Sequence, residues 1–178
     1  MKRINFCILY IAIAIGLQAQ GSGILNQSAP RWDIDAWIDE NGKNATYTLE
    51  ELEGKTIFLF CFQSWCPGCH EYGFPTIKYL KNKYAHREDI VFLAIQTVFE
   101  GKSVNTQSKL KKLQKKYKLD IPFGHDPGSD RISNIVTRYN TGGTPWNIII
   151  DPKGKVVFND YQISPQEAKK IFNTVTLE

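Results

Sequence analysis

Ile57-Phe58-Leu59-Phe60-Cys61-Phe62 runs without a break into Gln63-Ser64-Trp65-Cys66-Pro67-Gly68-Cys69. The first six residues are apolar, rich in aromatics and bounded by polar ones, which predicts a central strand buried on both faces. From Pro67 the period changes. Pro67 suits the first position of a helix, where its missing N–H costs nothing, and Tyr72, Thr76, Tyr79 and Leu80 supply an inner face as far as residue 84. Pro75 lies inside this helix and predicts a kink. Two cysteines three positions apart therefore fall where a buried strand ends and a helix begins. There, unpaired backbone N–H groups and the positive end of the helix dipole favour the thiolate of Cys66. Cys69, one turn further in, is close enough to bond with Cys66, while burial keeps it protonated and slower to attack.

Working outward, apolar alternation in Trp32-Asp33-Ile34-Asp35-Ala36-Trp37-Ile38, a turn at Asn41-Gly42 and a return over residues 45–48 predict an N-terminal β-hairpin. Leu49-Glu50-Glu51-Leu52 reads as a short helical turn closed by Gly54. Downstream, residues 89–95 read as a second buried strand, 103–118 as a helix, and 130–139 as a further helix with Asp130 as candidate N-cap. Thr141-Gly142-Gly143-Thr144-Pro145 leads into a third strand at 146–150. Asp151-Pro152-Lys153-Gly154 turns the chain into a fourth, antiparallel strand at 156–158, and a terminal helix follows over 164–172 with Ser164 as its cap. Two strand–helix–strand passages followed by a hairpin and a helix predict an α/β class, a central mixed sheet covered on both faces.

The N-terminus differs from the rest of the 178 residues. Lys2 and Arg3 precede an apolar run over residues 4–17, and small or polar residues follow, the layout of a secretory signal peptide. The run is shorter than the ~20 residues of a spanning helix, although an uncleaved membrane anchor is the competing reading. We expect residues 1–19 as signal peptide, 20–30 as a flexible leader and 31–178 as one domain, exported to the periplasm. Loss of Lys2 and Arg3 lowers the net charge from +4 to +2, so no strongly charged partner is implied. In the lysine-rich stretch 109–118, Leu110, Leu113 and Tyr117 share one face, which describes an amphipathic helix rather than a nucleic-acid footprint. Once Cys7 is removed, Cys61, Cys66 and Cys69 remain, an odd number that suits a reactive pair plus one buried thiol better than a disulfide framework.

The segments Leu52-Glu53-Gly54-Lys55, Trp65-Cys66-Pro67-Gly68-Cys69, Thr144-Pro145 and Ile150-Asp151-Pro152-Lys153-Gly154, in this order and spacing, resemble the thioredoxin fold and, within it, the exported TlpA/ResA-type thiol-disulfide oxidoreductases. The resemblance covers roughly residues 30–176. It implies a thioredoxin-like fold with the hairpin as an N-terminal extension and a helical insertion before the strand that follows a cis-proline at Pro145. Thr144 and Pro145 would form the edge where substrate docks, with Trp65 beside the site, either shielding the thiolate or serving as a core aromatic. Cys66 would attack a partner disulfide and Cys69 would resolve the mixed disulfide, with no cofactor and no metal. The resemblance leans towards a monomeric reductant, resupplied by a membrane thiol-disulfide donor and acting on exported proteins, cytochrome c precursors among them.

The chain also departs from the family. Phe60 stands where thioredoxin has a buried Asp, and Tyr72 where ResA-type proteins have a Glu. Glu71, one residue early, is the candidate for proton transfer to Cys69, and Gly73 reads as a local insertion. Cys61 is expected to be an inert core thiol. Three other chemistries use the same residues. Cys66-Pro67-Gly68-Cys69-His70 matches covalent c-type haem attachment with His70 as ligand. A peroxiredoxin-like peroxidase shares the fold, but looks for threonine where Gln63 stands. A metal-binding module would use Cys66 and Cys69 with His70 or His125, the latter in an expected loop.

Overall fold

The computed structural model describes residues 23–34, 36–129 and 132–175. The expected signal peptide and the Asp130 cap lie outside the described residues. Among the described residues no helix is long and apolar enough to cross a membrane.

Seven strands make one mixed sheet in the order β2-β1-β5-β4-β3-β6-β7. β3 (Thr56–Phe62) is the strand read first from sequence, and each of its residues is buried. It pairs in parallel with β4 (Ile90–Thr97), which pairs in parallel with β5 (Phe123–Asp126). On its other side β3 meets β6 (Trp146–Ile150) antiparallel, and β6 turns back into β7 (Val156–Asp160). β1 (Ala36–Ile38) and β2 (Asn44–Ala45) form the expected hairpin, and β1 joins the sheet antiparallel to β5.

Because successive strand residues point to opposite faces, β3 feeds two cores. Phe58, Phe60 and Phe62 lie on one face with α1 (Phe74–Lys83), α2 (Lys109–Tyr117) and α4 (Pro165–Val175), through Phe74, Ile77, Leu113 and Phe172. Ile57, Leu59 and Cys61 lie on the other with Trp32, Trp37 and, from α3 (Asn134–Arg138), Ile135. The expected central mixed sheet, helical faces and Ser164 cap are present, the Glu167 N–H donating to Ser164 Oγ at 3.1 Å.

Several local expectations are corrected. The segment expected to be a flexible leader is tied down over residues 23–30: Asn26 N–H and Ala29 N–H donate to Val156 and Gly154 carbonyls, and Val156 N–H to that of Gln27. β5 was not expected. It is four residues long and includes Gly124, whose missing side chain admits the Trp37 ring, 3.0 Å from where a Cβ would stand. α2 starts at Lys109 instead of residue 103, because residues 101–106 are held by local turns and by the Asn105 side chain, a competitor of helix hydrogen bonding. α3 starts at Asn134, capped by Ser133, whose Oγ accepts from Val136 N–H.

Candidate active site

The parallel strands β3, β4 and β5 all end at the same edge of the sheet, where buried Gln63, Gln96, Thr97 and Asp126 replace the aromatics of the core. Chain leaving β3 crosses this edge through residues 63–65 and enters a helix at Pro67. Residues Cys69–Gly73 wind as a single π-helical stretch before the regular α1, with Pro75 in its first turn. Such a wide turn absorbs one extra residue, in keeping with the insertion read at Gly73. It leaves Cys69 and Gly73 buried, and Glu71 and Tyr72 exposed. Gly73 is required sterically, since a Cβ there would come within 2.5 Å of the Phe60 ring and 3.2 Å of Pro145 Cβ.

Cys66 and Cys69 are free thiols with their sulfurs 2.6 Å apart. Cys66 is 6% exposed and Cys69 is fully buried. The Cys69 N–H donates to Cys66 Sγ at 3.2 Å, and the Cys69 thiol is also directed at that sulfur. Burial pushes the Cys69 thiol well above the ordinary value, and its hydrogen bond to Cys66 pushes the same way; the Gln63 backbone and the Thr144 side chain oppose the shift. The proton is thus held on the inner sulfur, while the outer one collects the donors. Chemically, the two sulfurs lie within reach of one another, and Cys66 is the less sealed of the pair.

The Thr144–Pro145 peptide is cis, and Thr144 O lies 3.4 Å from Cys66 Sγ. Trp65 is 45% exposed beside the pair, its indole N–H donating to Gln63 Oε1, so it is a surface aromatic at the site and not a core one. Cys66, Cys69, Trp65, Thr144 and Pro145 thus come together as expected. Glu71 does not join them: its carboxylate is exposed and hydrogen-bonds the Tyr72 phenol, raising that group above its usual value. Phe60, fully buried, places no carboxylate behind Cys69.

His70 has both ring nitrogens committed. Nε2–H donates to the Ser64 carbonyl at 2.8 Å, which fixes Nδ1 as acceptor of the Tyr117 hydroxyl at 2.5 Å. An imidazole held in this way offers no lone pair to iron, copper or zinc. His125, expected in a loop, lies on β5 with Nδ1 2.7 Å from Gln96 Oε1, and burial lowers its pKa. Cys61 sits in the second core, its thiol pushed up by burial first and by the Asp126 charge next.

Sequence reasoning missed two features of the site. One is a groove of about 260 Å³ beside Pro145, lined by Tyr72, Gly73, Thr76, Asn147 and Ile163, which three separate segments bring together. The other is Asn105, buried under residues 63–65 and bonded to both Gln63 and Ser64. No local pattern marks either.

Comparison with known proteins agrees with this geometry. The thiol-disulfide oxidoreductase ResA of Bacillus cereus is 30% identical over 133 residues, covering 75% of this chain and 67% of the relative. ResA of Bacillus subtilis is 29% identical over 150 residues, covering 84% and 72%. Among solved structures, a thioredoxin-like superfamily protein superposes with a TM-score of 0.77 at 27% identity, covering 85% of this chain and 97% of its own. A thiol-disulfide isomerase from Corynebacterium glutamicum, at 24% identity and a TM-score of 0.72, shares the fold. The Redoxin family model matches residues 26–175, and with a dithiol at the head of a helix beside a cis-proline the chain belongs to that family, as a thioredoxin-like thiol-disulfide oxidoreductase of the TlpA/ResA type.

Proposed function

We propose that this oxidoreductase works outside the cytoplasm as a reductant, Cys66 attacking disulfides of exported proteins and Cys69 releasing the product. The observation that carries the reading is the inequality of the two sulfurs: Cys66 keeps 6% exposure next to Thr144 O, whereas Cys69 is fully buried and its proton held. In the first step the Cys66 thiolate bonds to one partner sulfur and the other leaves as a thiolate. In the second, Cys69 gives up its proton, bonds to Cys66 and expels the remaining partner thiolate. The partner gains two electrons and the chain is left as the Cys66–Cys69 disulfide, to be reduced again by a membrane thiol donor.

The exported location rests on the N-terminal sequence of Lys2, Arg3 and the apolar run behind them. Thr144, Pro145 and Trp65 form the docking edge for an extended partner segment, and cytochrome c precursors are the substrate class that the resemblance favours. The chain acts as a monomer without cofactor. The committed nitrogens of His70 support this reading over haem or metal ligation, and Gln63, buried and bonded through its side chain, supports it over a peroxidase.

Two measurements test the proposal. A reduction potential close to that of thioredoxin, about −270 mV, fits a reductant, while one near −120 mV assigns the opposite direction. Cys69→Ala should retain exported proteins as mixed disulfides on Cys66 during expression in a bacterium; a variant that retains none contradicts the substrate assignment.

A further inference from the structure

We infer that Asn105, from the loop between β4 and α2, is the positioning residue that fixes both cysteines through Gln63 and Ser64. Asn105 is 2% exposed, so it cannot touch a docked protein. Its Oδ1 accepts from Ser64 N–H at 2.7 Å and from Ser64 Oγ at 3.0 Å. Its Nδ2 donates to Gln63 Oε1 at 2.7 Å and to the carbonyls of Glu100 and Gly101 at 3.0 and 3.2 Å. One buried amide therefore ties a loop some forty residues away in sequence to the strand exit just before Cys66.

What Asn105 holds is what touches the sulfurs. The Gln63 carbonyl accepts from Cys66 N–H at 3.1 Å, and the Gln63 backbone also hydrogen-bonds the Cys69 thiol. Gln63 Oε1 takes the Trp65 indole N–H in addition to Asn105 Nδ2, which fixes which way round its amide sits. Gln63 Nε2 is then turned into the interior, where it has no partner among the described residues. A buried donor left open costs roughly 1–3 kcal/mol, a cost that the two N–H donors from Asn105 and Trp65 on Oε1 offset in this orientation. The Ser64 carbonyl meanwhile accepts from His70 Nε2, so the same clamp reaches the far side of the cysteine pair. Small misplacements of reacting groups cost rate steeply, up to ~10²-fold for about 1 Å.

The inference rests on disulfide exchange at Cys66, and the test separates the two. Wild type, Asn105→Ala, Gln63→Met and the double variant are compared in reduction of insulin disulfides with dithiothreitol, at temperatures where melting curves show each folded. Asn105→Ala is expected to lower kcat about 10-fold or more, with KM moving less than about twofold, because a buried residue acting through the loop leaves docking intact. Mass-spectrometric mapping should show the ratio of Cys66 to Cys69 alkylation falling with it, a change that lost stability alone does not bring to a folded protein. The double variant should lose little more than Asn105→Ala alone, since both changes cut the same connection. If Asn105→Ala does not fold, Gln63→Met decides: a fall in kcat at unchanged KM supports the clamp and an unchanged kcat overturns it. Asn105→Ala that turns over at the wild-type rate, or effects that add in full, also overturn it. A wild-type protein that reduces no insulin overturns the functional reading itself.

Discussion

Cys61 and Cys69 are both fully buried and both have thiols pushed up by burial, yet one stands within the sheet and the other beside a second sulfur. Cys61 lies mid-sheet, opposite Ile95 on β4 and Trp146 on β6, in the second core with Leu59 and Ile148. Cys69 lies past the carboxyl end of the same strand, with a second sulfur at 2.6 Å and polar groups of Gln63 and Thr144 against it. Burial alone makes a thiol inert. Burial beside a second, less buried sulfur gives the proposed resolving thiol its place.

That contrast can be broken most sharply at the cysteines. Cys66→Ser should abolish insulin reduction, by roughly 10³-fold or more, whereas Cys61→Ala should stay within about twofold of wild type in the same assay. The packing that joins the two regions is the next target. Gly73→Ala puts a methyl group against the Phe60 ring and Pro145, and urea unfolding should show a loss of about 1–3 kcal/mol from overpacking.

Titration sharpens the comparison further. In the reduced protein Cys61 and Cys69 stay protonated when folded, whereas in the unfolded chain they ionise around 9.0. The folded state then holds more protons, so stability is intact below pH 9.0 and falls as pH rises above it, by about 1.4 kcal/mol per pH unit for each thiol. Urea titrations between pH 8 and 10.5 should show this fall, and Cys61→Ala should remove about half of what the thiols contribute. The smallest effect is expected at Glu71, whose carboxylate faces solvent and Tyr72. Glu71→Gln should change turnover by less than about twofold at neutral pH, and a larger loss would restore it as a proton carrier for Cys69.

The parts of the molecule legible in sequence are those written locally. β3 shows as six apolar residues, the helix start as Pro67, the hairpin turn between β6 and β7 as Asp151-Pro152-Lys153-Gly154, and the extra residue of the π-helical turn as Gly73 ahead of Phe74-Pro75. β5 was hidden because Phe123-Gly124-His125-Asp126 has neither length nor alternation, and it is a strand only because β4 and β1 flank it. At the site, Cys66, Cys69 and Pro145 were legible from motif and order. Asn105 was not, because its contacts with Gln63 and Ser64 span more than forty positions and it lies in a stretch whose lysine and leucine spacing reads as helix. The exposure of Glu71 was not legible either, because a wide turn rotates residues 70–73 away from regular helical directions.

The inequality of the two sulfurs is tested most directly by the order in which they are alkylated. The fully reduced protein would be given a limiting amount of iodoacetamide near pH 7, digested and mapped by mass spectrometry. The account predicts the first label almost entirely on Cys66, with Cys69 and Cys61 modified only after unfolding. Equal early labelling of Cys66 and Cys69, or a first label on Cys69, would contradict it.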